Sequence, residues 1–441
     1  MSAAQQLIAH YLKTNNLTRT LEAFELELNK KFDCSVEESL ETILKDRLAY
    51  LSLEKPEYKS TKSLWTVDAP KRHEILELGT LNSLVISSSF VKLEIGTTCV
   101  SLGLFVTNNK QVHFFDLEKR RNLLVRNDLH GSTATKLVAG ADGTDIVFSC
   151  GMDGKLRVWR VSYDNEFQFQ LKLLSEDQLH KRLVLQMKFR QMDRNSGFLV
   201  STGWDSKLVA TKLNLQDGTI EKLNEVSLLT RASCLLITAD SSNYPVILVG
   251  RTETSMVGVY TIHDRIFEIG RLALNDSEFS SHSFHPMAFA MAESDNVVAA
   301  TNHIPYMRLI TFKVPTIADL IGVEETEVAA KIAAASRLAT DSESFQTNVT
   351  IRRNIIVSNF NSMSPQDKFS DPIVITRPHK DGIWIFGDDG IVRGFDVGAG
   401  SVVEELKTHE GRIKSAFVAE VGNTETIVSC GAVDRVASVW Q

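Results

Sequence analysis

The chain has 441 residues, 43% of them apolar, enough to bury a large core and, by length alone, to make roughly two to four domains. A formal charge of −7 and a pI near 5.9 give no basic field for a nucleic-acid backbone or an anionic membrane, so neither is expected as a partner. Five scattered cysteines, Cys34, Cys99, Cys150, Cys234 and Cys430, form no C-x-x-C pair and suit a reducing compartment better than disulfides or a zinc site.

The start, "MSAAQQLIAHYLKTNN", has no basic residues leading into an apolar run, and no segment approaches ~18 apolar residues. The expectation is a soluble protein of the cytoplasm, the nucleus or both. "QQLIAHYLKTNNLTRTLEAFELEL" then predicts two short helices broken at Asn15 and Asn16, with Thr18 capping the second. Leu7, Ile8, Tyr11 and Leu12 share one face of the first helix, while Leu17, Leu21, Phe24 and Leu28 follow helical spacing through the second. Helices this short are marginal alone in water, so these faces need a partner. The pattern L-I-x-x-Y-L, a break, then T-L-x-A-F-x-x-E-L resembles the LisH motif, a dimerising helical unit found ahead of many WD40 propellers. The match covers about residues 5–33, with Tyr11, Leu12, Ala23, Phe24 and Glu27 in place. The resemblance implies a homodimer held through Leu7, Ile8, Tyr11, Leu12, Leu21, Phe24 and Leu28; the alternative is a hairpin packed on its own propeller.

A third helix is expected from Ser35, where Ser35 and Glu38 form a capping box ahead of Leu40, Ile43, Leu44, Leu48 and Leu51. Lys55 and Pro56 end it, and "PEYKSTKS" is a polar linker. The organisation expected is therefore a helical hairpin over 1–34, a third helix and linker over 35–57, and the remainder from 58 to 441.

That remainder repeats itself. "GKLRVWRV" at 154–161 alternates apolar residues after a tight Asp-Gly turn, and the same frame recurs in "KQVHFFDL", "SKLVATKL", "SMVGVYTI", "MRLITFKV", "GIVRGFDV" and "RVASVWQ". Its sixth positions are Phe115, Trp159, Thr211, Tyr260, Phe312, Phe395 and Trp440, separated by 44, 52, 49, 52, 83 and 45 residues. A period of about 45–50 residues with four short strands per unit marks a propeller blade. Within the 83-residue interval, residues 315–345 are Ala- and Glu-rich. A Thr316 to Asp319 capping pattern and a stripe at Val328, Ile332, Ala335 and Ala339 predict a helical insertion between the fifth and sixth blades.

From about residue 60 the chain looks like a WD40 repeat protein, which implies an all-β, seven-bladed propeller. In that family a His, a Ser or Thr, a turn Asp and a strand Trp are joined by hydrogen bonds. The resemblance assigns these roles to His130, Ser149, Asp153 and Trp159 in blade two, and to His409, Ser429, Asp434 and Trp440 in blade seven. Blade three keeps His180, Ser201 and Asp205 but has Thr211 in place of Trp; blades four and five have Thr254 and Tyr306 at the Asp position. Trp204, beside Asp205, belongs to the turn and not the strand. Because the third strand of the last blade reaches Trp440, one residue before the end of the sequence, that blade lacks a fourth strand of its own, and "TKSLWTVDA" is expected to supply it through residues near Leu64 to Val67.

Catalytic signals are weak. There is no G-x-x-x-x-G-K-[ST], H-E-x-x-H or G-x-S-x-G. Asp388 and Asp389 in "GDDG" fall where a blade turn belongs, and His282 and His285 lack a third metal ligand nearby in sequence. A His paired with a buried Asp is reminiscent of a hydrolase, but no nucleophile stands beside it at a defined place. "EKRR" at 118–121 is too short a basic run to argue for nucleic acid. The expectation is a non-enzymatic protein with no cofactor, metal or small-molecule substrate, acting as a scaffold on other proteins. LisH plus propeller is similar to dynein regulators of the lissencephaly type, transducin-beta-like corepressor subunits and subunits of some ubiquitin ligases. The alternative is a receptor for a peptide or modified tail in a ubiquitin-ligase or corepressor-type complex. Blade ends reading "WRVS", "FDLE" and "FDVG" lack the W-D-x-R of cullin-ligase receptors.

Overall fold

A computed structural model describes residues 3–32, 39–41, 44, 63–79, 83–131, 133–240, 243–275, 283–292, 296–338 and 349–441. The chain divides into two compact units, Met1–Lys59 with Asn275–Ser281, and Ser60–Leu274 with His282–Gln441.

The larger unit is an all-β propeller of seven antiparallel blades, each of four strands in chain order from the centre outward, with a fifth strand added to blade four. Blades one to six occupy 85–126, 135–178, 184–227, 232–273, 286–365 and 373–407, and blade seven joins 413–440 to His73–Leu76. The seven first strands touch their neighbours in cyclic order, closing the ring. Side chains of these inner strands also bond a neighbouring blade's backbone: Ser89 Oγ donates to the Val138 carbonyl at 2.6 Å, Gln186 Nε2 to the Ser233 carbonyl at 2.7 Å and Thr376 Oγ1 to the Met291 carbonyl at 2.8 Å.

Middle strands are sandwiched by adjacent blades and are mostly apolar; Ile146–Gly151 and Val112–Asp116 are wholly buried. Outer strands meet solvent, and Phe169–Gln178 buries only Phe169 fully. All seven repeated frames fall on third strands.

Closure uses a strand from the N-terminal side of the propeller, but a different one from that expected. His73–Leu76 is the fourth strand of blade seven, with His73 opposite Trp440 and Leu76 opposite Ala437. Leu64–Val67 lies instead against blade six. Asp396 accepts from Ser63 Oγ at 2.5 Å and from the Leu64 and Trp65 amides, while Asp381 accepts from the Thr66 and Val67 amides at 2.9 and 3.1 Å. With its amides held by carboxylates, this stretch is not free to join a strand ladder.

The insertion also sits elsewhere than expected. It leaves blade five after its third strand, Tyr306–Lys313, and returns as that blade's fourth, Ile356–Pro365, so it lies within blade five. Thr316 and Asp319 form a capping box on the helix Ile317–Ile321, which Gly322 ends at φ +69°. A second helix, Val328–Leu338, follows. Ile317, Leu320, Val328 and Ile332 bury in one core with Val257, Ile269 and Leu272 of blade four. Ile351–Arg352 then pairs parallel with the outer strand of blade four, supplying its fifth strand. Ala339 lies outside the described residues.

The smaller unit holds helices Ala3–Thr14 and Thr18–Glu27. Leu17, not Thr18, occupies the N-cap, without a side-chain cap bond. The hairpin centres on buried Ala9 and Phe32, with Leu21 and Phe24 packed on them and the Phe24 and Phe32 rings stacked at 5.6 Å. Leu12 is buried, Leu7 and Tyr11 are half-buried, and Ile8, Leu17, Leu26 and Leu28 are exposed. The face expected to be shared is thus partly consumed within the hairpin. Ser35, Glu38, Ile43, Leu48 and Leu51 of the expected third helix lie outside the described residues; Leu40, Glu41 and Leu44 are helical.

Candidate interaction surface

Strand order puts the turns between second and third strands, and the connections between blades, at one end of the propeller, here the upper end; the remaining turns form the lower end. What shapes the upper turns is a buried hydrogen-bond relay. In blade two, Trp159 Nε1 can only donate, and it donates to Ser149 Oγ at 3.0 Å. Ser149 then donates to His130 Nε2 at 2.9 Å, which leaves Nδ1–H to donate to Asp153 at 3.0 Å. Burial pulls the His130 imidazole below its usual pKa despite Asp153. Burial also opposes ionisation of Asp153, but the Lys155 amide, His130 and Arg157 outweigh it and hold the carboxyl below its usual range. A neutral His against a carboxylate is the stable pairing.

Blade three repeats this with His180 Nδ1 3.0 Å from Asp205 and Nε2 2.9 Å from Ser201 Oγ. Thr211, at the Trp position, is buried with its hydroxyl unpaired. In blade seven His409 meets Asp434 at 2.8 Å and Ser429 at 2.9 Å. Trp440, however, donates to Thr408 Oγ1 at 3.1 Å and stacks on His73 at 4.6 Å, so it stands outside the relay.

These relays do place a hydroxyl beside each His, in the order of a hydrolase triad, contrary to the expectation that no nucleophile stands there. Ser149, Ser201 and Ser429 are 0% exposed, so no substrate reaches them. Sequence reading missed the glycine two residues after each serine, although "SCG", "STG" and "SCG" are visible at 149–151, 201–203 and 429–431. A Cβ on Gly151, Gly203 or Gly431 would run into the His ring and the Asp carboxylate, so the relay needs glycine there.

The other candidates are similarly committed. Asp389 pairs with Arg393 and receives the Ile391 amide; Asp388 pairs with Arg412 at 2.9 Å. Among the described residues no metal-like cluster surrounds His285: its amide donates to Asn302, and burial lowers its pKa. His282 lies outside the described residues. Among those residues no group of His, Cys, Asp and Glu could hold a metal ion, and no helix is long and apolar enough to cross a membrane.

Six large apolar side chains reach solvent at the upper end. Met152, Trp204, Ile304 and Val433 tip blade turns, and Leu229 and Phe369 tip connections between blades; all are 48–71% exposed. Arg231 lies over the Trp204 ring, 4.5 Å from its centroid. At the lower end a cavity of about 620 Å³ opens among the turns of blades one, two and seven. Phe90, Lys92, Glu94, Cys99, Glu118 and Glu420 are among its lining residues, and Asp142 there accepts the Lys92 amide. Cys99 is exposed, whereas the thiols of Cys150, Cys234 and Cys430 are buried and free of disulfides, that of Cys430 pushed up to about 12 by burial. Cys34 lies outside the described residues.

The chain is similar to a protein of Saccharomyces cerevisiae described as "Uncharacterized protein YGR117C", 24% identical over 432 residues that cover 87% of this chain and 85% of that one. No LisH or WD40 repeat family is matched. Residues 45–440 match the family described as "UCP007778, beta-propeller domain", and the chain belongs to that family.

Proposed function

We propose that this protein is a non-catalytic scaffold of the WD40 kind that self-associates through a LisH-like hairpin and presents the upper end of its propeller to other proteins. The observation carrying this reading is the gathering of Met152, Trp204, Leu229, Ile304, Phe369 and Val433, all exposed, at one end of the propeller, where buried relays fix the bases of the turns that carry Met152, Trp204 and Val433. A rigid base with apolar tips is what a docking surface requires, since little conformational freedom is lost on binding. Ile8, Leu17, Leu26 and Leu28, left exposed on the small helical unit, support self-association. Buried thiols free of disulfides suit the cytoplasm or nucleus.

Affinity capture from cells tests the scaffold, comparing the full chain with Trp204→Ala/Phe369→Ala and with the lower-end variant Phe167→Ser. Partners lost only from the upper-end variant support the reading; identical capture by all three removes it. Light-scattering mass tests self-association: a dimer that Ile8→Glu/Leu28→Glu converts to a folded monomer supports it, and a wild-type monomer ends it.

A further inference from the structure

The upper end is not uniform in charge. Between blades two and four it carries Lys181 and Arg182, on the connection into blade three, and Arg231, on the connection into blade four. None of these three side chains has an ion-pair partner among the described residues. The carboxylates of the neighbouring turns are already committed: Asp153 to His130 and Arg157, Asp205 to His180 and the Lys181 amide. Glu253, on the blade-four turn, and Arg231 both lie near His285 and act on its imidazole in opposite directions. The other side of the same end differs: Arg412 is taken by Asp367 and Asp388, and Lys414 by Asp371. A chain of net charge −7 thus holds a local excess of unpaired cations in one sector.

That sector also holds the apolar tips Met152, Trp204 and Leu229. Stacking on Trp204 restrains the Arg231 guanidinium while leaving its donor edge available, a planar fork suited to a carboxylate. Trp and Arg are the side chains that most often dominate binding energy at interfaces, and methionine adapts to irregular apolar shapes.

The geometry points to this sector, from Met152 through Trp204 to Leu229, as the docking site for an acidic peptide segment of a partner protein. Apolar residues of the segment would cover Trp204 and Leu229, and its carboxylates would face Arg231, Arg182 and Lys181. Three cations interleaved with apolar tips, on a chain that otherwise repels polyanions, favour a peptide over a nucleic acid, whose affinity rests on many phosphate contacts. The inference rests on the scaffold reading and names the partner chemistry of its surface.

Fluorescence anisotropy of a labelled peptide of repeating Glu-Leu-Asp-Phe, titrated with the full-length protein, tests it. Controls are a peptide of repeating Lys-Leu-Lys-Phe, a polyglutamate peptide and single-stranded oligouridine. Binding of the first peptide above all controls is expected. It should weaken about tenfold or more in Arg231→Glu and in Trp204→Ala, and with added salt, but not in the lower-end variant Phe167→Ser. Thermal unfolding of each variant at the wild-type temperature keeps misfolding from imitating the loss. Absent binding, binding indifferent to Arg231 and Trp204, or preference for oligouridine or the basic peptide would overturn the site. If cellular partners still depend on the upper end after such a result, the scaffold stands and only its acidic partner falls.

Discussion

The guanidinium of Arg377 lies over the indole of Trp65, 3.8 Å from the ring centroid, though the two stand 312 positions apart in the sequence. Arg377 is 1% exposed and bonds Asp381 at 3.1 Å, Glu425 at 3.0 Å and the Val67 carbonyl at 3.0 Å. Trp384 Nε1 donates to Glu425 at 2.8 Å and meets Trp65 edge-on at 5.4 Å. One cation thus balances two buried carboxylates and clamps 63–68 to blades six and seven.

Arg377→Met should therefore destabilise the propeller by about 3–5 kcal/mol, because Asp381 and Glu425 stay buried without their cation. Urea unfolding followed by tryptophan fluorescence reads the change. Adding Asp381→Asn and Glu425→Gln to the same chain should restore part of it; a wild-type midpoint for Arg377→Met alone would refute the clamp.

In blade two the relay predicts a graded series. Trp159→Ala removes a large, 6% exposed ring and should cost about 3–5 kcal/mol, whereas Trp159→Phe gives up chiefly the bond to Ser149, about 1 kcal/mol. Ser149→Ala strands both Trp159 Nε1 and His130 Nε2 and should cost about 1–3 kcal/mol. Denaturant midpoints that rank Ser149→Ala as neutral would break the relay.

What the amino-acid sequence disclosed follows from how locally each feature is encoded. Third strands announce themselves, since alternation, a preceding turn and, in all but blade three, an aromatic recur within eight residues, and the spacing of His, Ser and Asp names groups that the blades bring within hydrogen-bond reach. The closing strand is quiet by comparison: of "HEIL" only Leu76 is buried, while "SLWTV" nearby is the more apolar. The choice between them lies with Arg377, Asp381 and Asp396, partners too distant in sequence for periodicity to register. The insertion showed its helices but not its blade, because the frame marks third strands and the excursion falls between a third and a fourth. Exposure of Met152 or Val433 has no periodic signature, so the upper surface became visible only on folding.

Closure can be tested by truncation. A chain starting at residue 63 retains both the Trp65 clamp and His73–Leu76, and it should give a cooperative thermal transition. One starting at residue 80 leaves Ala437–Trp440 an unpaired edge and uncovers Val428 and Val439, which share a core with Leu76. It should aggregate or unfold at a clearly lower temperature. Equal transitions for the two would mean that the ring does not depend on this strand.

His303, in the upper turn of blade five, predicts a pH dependence of stability. Burial drives its imidazole down to about 4, with the nearby Arg308 charge adding to the effect, and Nδ1 sits 2.7 Å from Thr301 Oγ1. In the unfolded chain a histidine takes up its proton near pH 6.5. Between about pH 6.5 and 4 the unfolded state therefore binds a proton that the folded state refuses, and stability falls as the pH is lowered through this window. His113, His130 and His285 are shifted in the same direction by burial, so they add to the slope of the wild-type protein. The contribution of His303 is isolated by difference: urea unfolding free energies of wild type and His303→Gln, measured from pH 7.5 to 4, should converge as the pH falls, because the variant has one proton fewer to gain on unfolding. Parallel curves would mean that His303 protonates as readily in the folded blade as in the unfolded chain.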